Sequence, residues 1–372
     1  MAILSYIVWN ASPEIFSFGS FALRWYGLFF ALGFLVSQQI LYYMYRREGK
    51  PEKDVDTLTI YMVVATILGA RLGHVIFYQP EIIWTDPLGI ILPFEFKPFR
   101  FTGLQGLASH GGAIGILFAL WLYSRKKKPG QNYLQVLDRI VILVALTGAL
   151  IRLGNYFNSE IIGKPTDKPW GVVFTGRLTE ALKDRRIDTD RIVDDVVYIK
   201  NDTLPKGPDG RMPITIYIFF KPTADELQIN RLLDGEVRPL LTSQLDEFFD
   251  QAPSLHLDYQ IAKPDKDGFV AKINTMGIAR HPAQLYESFS CIILFVVLLL
   301  IWFKHRENLV PGRIFGIFLV FLWTMRFLFE FLKENQESFE DKLAINMGQI
   351  LSIPLIVAGI IILIWSFRKK AA

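Results

Sequence analysis

Seven apolar segments recur along the chain, each close to the ~20 residues that a bilayer-spanning helix needs. They are Trp25–Tyr45, Leu58–Tyr78, Leu104–Tyr123, Leu137–Phe157, Ala283–Phe303, Ile314–Leu332 and Met347–Phe367. Between the fourth and fifth lies a polar stretch, 158–278, with a different rhythm. Its turn signal Pro205-Lys206-Gly207-Pro208-Asp209-Gly210 separates two β-branched and aromatic runs, Val196–Ile199 and Ile214–Phe220, that read as strands. From Ala224 to Asp250 the apolar positions return at helical spacing. The pattern predicts an all-α polytopic membrane protein with seven transmembrane helices and a small α/β head domain inserted between helices 4 and 5. The expected division is 1–157 for helices 1–4, 158–278 for the head and 279–372 for helices 5–7. The Pro- and aromatic-rich loop Gln79–Arg100 is expected on the outer membrane surface, and no internal repeat is visible.

Basic residues give the segments a direction, since Lys and Arg in short loops mark the cytoplasmic side. Arg46, Arg47 and Lys50 follow the first segment; Arg125, Lys126, Lys127 and Lys128 follow the third. Lys304, His305 and Arg306 follow the fifth, and Arg368, Lys369 and Lys370 follow the seventh. Each odd-numbered helix therefore ends inside, with the N-terminus outside and the C-terminus inside. No basic segment followed by a cleavable apolar stretch opens the chain, so no signal peptide is expected.

Composition fits this picture: 51% of residues are hydrophobic and 20% charged. The net charge of +4 invites no nucleic-acid partner. The single cysteine, Cys291, stands in an apolar run, which excludes a disulfide framework or a cysteine-based metal site. Cys291 and His74 read as packing residues.

The informative residues are the charges a membrane should exclude, because an ionisable group inside a span is costly and marks function by default. Arg71, His110, Arg152, and Arg326 with Glu330 fall within the second, third, fourth and sixth segments, while Arg24 and Glu287 stand at outer ends. At ~1.5 Å per residue, Arg152, His110, Arg71 and Arg326 all lie roughly 8–10 Å below the outer surface. One such arginine can snorkel or pair locally. Four basic groups at one depth, with only Glu287 and Glu330 to oppose them, favour a bound anion, and the anion native to that depth is a lipid phosphate. Arginine suits it, staying charged and offering a planar, bidentate fork.

Three local patterns surround these residues: His110-Gly111-Gly112-Ala113-Ile114-Gly115, Arg152-Leu153-Gly154-Asn155-Tyr156-Phe157-Asn158-Ser159-Glu160-Ile161-Ile162-Gly163, and Arg280-His281-Pro282-Ala283-Gln284-Leu285-Tyr286-Glu287. Further matches are Arg24-Trp25-Tyr26-Gly27, Gly69-Ala70-Arg71-Leu72-Gly73, Arg326-Phe327 with Glu330-Phe331, and Met347-Gly348-Gln349-Ile350-Leu351-Ser352-Ile353-Pro354. In this order, over all seven segments, the set resembles the prolipoprotein diacylglyceryl transferase family. Two departures stand out. The polar stretch is longer than the family usually carries, and Leu322 stands one turn before Arg326, where the family pattern often has Tyr.

The resemblance implies a multi-pass enzyme of the bacterial cytoplasmic (inner) membrane, its active site facing the outer leaflet. A lipobox cysteine of a prolipoprotein signal peptide would attack phosphatidylglycerol, and glycerol phosphate would leave. Phosphatidylglycerol is then a substrate, and neither cofactor nor metal is implied. His110, Arg152 and Arg326 become the catalytic candidates, with the two arginines on the phosphate and Arg71 secondary. For His110 two roles stay open: general base, since an imidazole ordinarily titrates near about 6.5, or hydrogen-bond donor to phosphate. The substrate-binding candidates are Tyr26, Arg71, Gly111, Gly112, Arg152, Asn155, Asn158, Glu160, Gly163, His281, Gln284, Tyr286, Glu287, Arg326 and Glu330.

Several of these have ordinary readings as well. Gly111 and Gly112 suit close helix packing as much as lipid contact. Asn155, Asn158 and Glu160 suit a polar helix exit, His281-Pro282 a turn into a helix, and Tyr26 an interfacial aromatic. Asp138 is expected to serve a helix N-terminus. Two rival functions remain: a phosphatidylglycerol-using headgroup transferase acting on glycans or osmolytes, which would release diacylglycerol, and a secondary transporter. Against the latter, the halves are dissimilar and the charges lie off the midplane.

Overall fold

The computed structural model describes residues 6–18, 21–87, 90, 94–96, 99–101, 108–184, 186–252, 257–265, 268–334 and 345–368. Lys369, Lys370 and residues 104–107 of the third predicted span lie outside these. The first half of the chain forms β1 (Ile7–Trp9), β2 (Glu14–Phe18), β3 (Phe21–Arg24), α1 (Trp25–Arg47), α2 (Lys53–Tyr78), α3 (Ile82–Thr85), β4 (Phe94–Phe96), β5 (Phe99–Phe101), α4 (Ser109–Ser124) and α5 (Tyr133–Phe157). Then follow β6 (Val172–Phe174), α6 (Gly176–Lys183), β7 (Val193–Lys200), β8 (Arg211–Phe220), α7 (Glu226–Leu232), β9 (Tyr259–Asp265), β10 (Gly268–Arg280), α8 (Ala283–His305), α9 (Arg313–Glu330) and α10 (Met347–Arg368).

Over its described residues, each predicted apolar segment falls on a helix. Among the described residues, the five containing α1, α2, α5, α8 and α10 are long and apolar enough to cross a membrane. The described part of α4 is only 16 residues long, and α9 carries Arg313, Arg326 and Glu330 within its 18 residues. The protein is therefore a mostly helical, polytopic membrane protein with an added sheet.

The chain divides into two compact units, one of Met1–Leu32, Gly148–Ser290 and Met325–Ser352, the other of Gly33–Thr147, Cys291–Thr324 and Ile353–Ala372. The first holds the sheet, ordered β1-β6-β10-β8-β7 with β9 also on β10. Its central pairing runs antiparallel from Val270 opposite Phe219 to Ile278 opposite Arg211. The period of two along β8 explains its core face: Met212, Ile214, Ile216, Ile218 and Phe220 are all buried. Against them pack Ile229, Leu233, Val237 and Leu241. They belong to the 224–250 stretch, which starts at a capping box in which Asp225 and Gln228 exchange side-chain-to-backbone bonds. Segment 158–278 is not self-contained. The sheet also takes in β1, whose Ile7 pairs in parallel with Val172. Three residues are too short a run for periodicity to reveal.

In the second unit α2 and α4 approach through facing glycines. A Cβ on Gly111 would fall 2.7 Å from the Gly73 Cα, and one on Gly115 would fall 2.6 Å from the Ala65 carbonyl oxygen. Gly112 is roomier, its nearest neighbour being the Ala70 Cβ at 3.6 Å. Small residues allow this backbone contact, which gives the pair its dispersion energy. Gly111→Leu is therefore expected to destabilise the protein by about 2–3 kcal/mol, as overpacking against unyielding backbone does, whereas Gly112→Ala should leave stability intact. Thermal unfolding in detergent compares them, and equal melting temperatures would contradict the packing argument.

Asp138 departs from its expected role. It lies inside α5 rather than at its start, and is fully buried. Its carboxylate accepts from the Gly312 and Phe315 backbone N–H groups at 2.7 and 2.8 Å, so it caps α9, a helix remote in sequence, instead of its own.

Candidate active site

The charges drawn from five apolar segments fall into two groups. Arg152, Glu287, Arg326 and Glu330 belong to the first unit, together with Tyr26, Asn155, Asn158, Glu160, Gly163, His281, Gln284 and Tyr286; Arg71, His110, Gly111 and Gly112 belong to the second.

In the first unit Arg152 leaves the C-terminal turns of α5 and sets its Nε 2.5 Å from Glu287 Oε2 of α8. Its Nη1 donates to Asn155 Oδ1, one helical turn on, at 3.3 Å. Asn155 in turn donates through Nδ2 to Glu160 Oε1 at 2.8 Å, and Asn158 Nδ2 reaches the same oxygen at 3.1 Å. Gln284, fully buried, donates to the Glu160 backbone carbonyl at 2.6 Å. The motif after Arg152 thus forms a relay that fixes the guanidinium plane, which explains the spacing of Arg152, Asn155, Asn158 and Glu160. Tyr26 packs on this turn: a Cβ at Gly154 would sit 3.0 Å from its ring, and its hydroxyl lies within electrostatic reach of Glu160 and Arg152.

A second pair stands on α9, where Arg326 Nη2 lies 3.7 Å from Glu330 Oε1 one turn later. Glu330 also accepts from Asn346 Nδ2 at 3.2 Å. Asn346 begins α10 with a reciprocal cap, its Oδ1 taking the Gln349 N–H at 2.9 Å while Gln349 Oε1 takes the Asn346 N–H at 3.1 Å. Gly348 is required beside it, because a Cβ there would collide with the Glu330 carboxylate at 2.7 Å.

Lys333, which the apolar pattern does not single out, joins the two pairs. Its Nζ forms an ion pair with Glu287 and lies 3.2 Å from Glu330 Oε1. Arg326 also acts on the Glu287 charge. The excess of positive charge expected from the apolar pattern is reduced to a balance in this group: Arg152, Arg326 and Lys333 face Glu160, Glu287 and Glu330, three charges against three. The apolar pattern passes over Lys333, and Glu160 is held by Asn155 and Asn158 as a counter-charge behind Arg152. Exposure separates the members. The Arg152 and Arg326 side chains are 23% and 32% exposed, against 8%, 10% and 4% for Glu287, Glu330 and Lys333. Carboxylates and lysine form the buried floor, and the guanidinium groups form the open face. Such a face can take an anion without leaving any buried charge unpaired when the anion is absent.

His281 and Tyr286 form a further polar group. Tyr286 Oη accepts from Trp170 Nε1 at 2.8 Å and lies 3.1 Å from His281 Nδ1. Burial, with the Lys168 charge added, holds the His281 imidazole below its ordinary pKa. Gly163 answers a backbone crossing, as a Cβ there would lie 2.5 Å from the His281 carbonyl oxygen and 2.8 Å from that of Leu332. It pairs in an isolated bridge with Lys333, which anchors the lysine's backbone.

In the second unit His110 stands exposed in the first turn of α4. Arg71 Nε donates to the Ile90 carbonyl oxygen at 3.1 Å, tying α2 to the loop that follows it. Of the two glycines after His110, Gly111 is taken up by contact with α2 and Gly112 has room beside it. Arg24, the last residue of β3, pairs with Glu14 at 3.3 Å across the β2–β3 hairpin. Sequence reasoning missed Lys333 and Asn346. The one local signal for the former was its i+3 spacing from Glu330.

The profile of the family described as prolipoprotein diacylglyceryl transferase matches residues 13–365. The phosphatidylglycerol–prolipoprotein diacylglyceryl transferase of Bacteroides fragilis strain YCH46 is 32% identical over 372 residues, covering 99% of this chain and 98% of the relative. That of Tolumonas auensis is 32% identical over 365 residues, covering 98% and 99%. That of Chloroherpeton thalassium is 31% identical over 365 residues, covering 98% and 96%.

Proposed function

Because the chain belongs to the prolipoprotein diacylglyceryl transferase family, we propose that it transfers the diacylglyceryl group of phosphatidylglycerol to the lipobox cysteine thiol of prolipoproteins. The observation that carries the assignment of the site is the pair of half-open guanidinium groups, Arg152 and Arg326, backed by buried carboxylates in one ion-pair network. The sulfur attacks the glyceryl carbon that bears the phosphate. A C–S bond forms, the C–O bond breaks, the thiol proton passes to a base, and glycerol phosphate leaves. The departing phosphate gains negative charge as the bond breaks, and two oriented arginines stabilise that charge better than water does. The same positive face favours the thiolate, since a free thiol ordinarily titrates near about 8.5.

The finer arrangement follows from the charge pattern. Seven helices span the bacterial cytoplasmic membrane, N-terminus outside and C-terminus inside, with the sheet region on the outer face. The site then lies under the outer leaflet, where both the phospholipid and the signal peptide arrive from the bilayer. Tyr26, Asn155, Asn158, Glu160, Gln284 and Glu287 orient the grip. His110 is carried from the family resemblance in one of two roles, general base or hydrogen-bond donor to the phosphate, which its pH dependence separates.

Purified protein in phosphatidylglycerol vesicles should convert a synthetic lipobox peptide to its thioether and release glycerol phosphate. Release of diacylglycerol instead would point to a headgroup transferase. With His110 as base, kcat/KM of the wild type falls on the acid side, and His110→Gln should lose most of its rate, about 100-fold or more, together with that acid limb. An unchanged acid limb in the variant would assign His110 to phosphate binding.

A further inference from the structure

A lysine sealed inside a membrane protein needs a reason, since burying an ammonium is costly unless it is fully paired. Lys333 is 3% exposed and sits three residues beyond the end of α9. It is held inward from two sides. The bridge to Gly163 fixes its backbone, and Glu287 and Glu330 take its ammonium. Each of these carboxylates is also the partner of one arginine, Glu287 of Arg152 and Glu330 of Arg326. The order Arg152–Glu287–Lys333–Glu330–Arg326 is thus an unbroken chain of alternating charge across α5, α8 and α9, with the lysine at its centre.

We propose that Lys333 is a positioning residue for phosphate binding, holding Glu287 and Glu330 together so that Arg152 and Arg326 keep the spacing that grips one phosphate. This rests on the assignment of those two arginines above. Without the ammonium, two buried carboxylates share a site, and like charges at that distance either separate or share a proton. Either response moves an arginine, because each carboxylate carries one with it. The cluster would also drop to two positive charges against three negative, and an anionic headgroup would meet net repulsion.

The test is steady-state kinetics of Lys333→Gln, which removes the charge and keeps hydrogen-bond donors, and of Lys333→Arg, which keeps the charge. Phosphatidylglycerol is varied in mixed micelles and the lipobox peptide is varied separately. Lys333→Gln should raise KM for phosphatidylglycerol at least tenfold and leave KM for the peptide within a factor of two, with Lys333→Arg recovering most of the affinity. Partial unfolding lowers turnover but leaves both KM values in place, so a merely structural lysine gives the opposite result. Wild-type KM for phosphatidylglycerol in Lys333→Gln, or equal rises for both substrates, would overturn the proposal while leaving the arginine assignment standing. Full activity of Arg152→Ala in the same assay would remove that assignment, and this inference with it.

Discussion

Arg152→Ala is expected to lower conversion of a lipobox peptide in phosphatidylglycerol vesicles by about 100- to 1000-fold, the range found when one preorganised donor to a developing anion is removed. Arg152 is the better defined of the two phosphate candidates. Its Nε is fixed by Glu287 and its Nη1 by Asn155, so the direction in which it can offer its remaining donors is set before substrate arrives. Arg152→Lys should recover little of the loss, because a point charge cannot use both the carboxylate behind and the phosphate in front. Arg326→Ala should cost a similar factor, and the double variant less than the product, as happens when residues act on one group. Single-turnover thioether formation, normalised to folded protein, measures each loss. Rates within twofold of wild type for both single variants would exclude a phosphate grip at these positions.

The largest effect on stability is expected in the second unit, at Glu48. Its carboxylate is completely buried and receives Arg139 Nε at 3.1 and 3.0 Å, Lys50 Nζ at 2.5 Å and Trp302 Nε1 at 2.6 Å. It lies in the loop after α1 and binds that loop to α5 and α8. Glu48→Ala leaves Arg139 and Lys50, at 3% and 9% side-chain exposure, without their shared partner. Breaking a buried pair in this way costs about 3–5 kcal/mol, a large part of the stability of a typical domain.

The effect carries a pH signature. Burial raises the Glu48 pKa, but the Arg139 and Lys50 charges outweigh it and hold the carboxyl below its ordinary value. A lowered carboxylate pKa adds stability that is complete above the unfolded-state pKa and lost as pH falls through the folded one. The gap in melting temperature between wild type and Glu48→Ala should therefore be widest near neutrality and close under acid. A gap that stays constant from neutral to acid pH would mean that packing, not charge, sets the penalty.

The fold was legible wherever the signal is local. Apolar runs of helical length, the β-branched and aromatic run of β8 and the helical spacing after Ala224 are each written in neighbouring residues, and each returned as the expected element. The arginines were legible for the same reason, because a charge inside an apolar run is conspicuous by itself. Lys333 was not: it follows the sixth apolar segment, where a basic residue looks like an ordinary helix exit.

What the sequence determined alone is thus the membrane class, the helices and strands, and the charged residues from which a site is built, since burial and hydrogen bonding fix these over a few residues. Tertiary structure decided their partners. It gave Asp138 to a helix 174 residues away, gave Glu48 to Arg139 across 91, used Gly111 to seat one helix on another, and balanced Arg152 and Arg326 with carboxylates. Ion pairing and close packing act through space and depend on which surfaces meet, which no local pattern encodes.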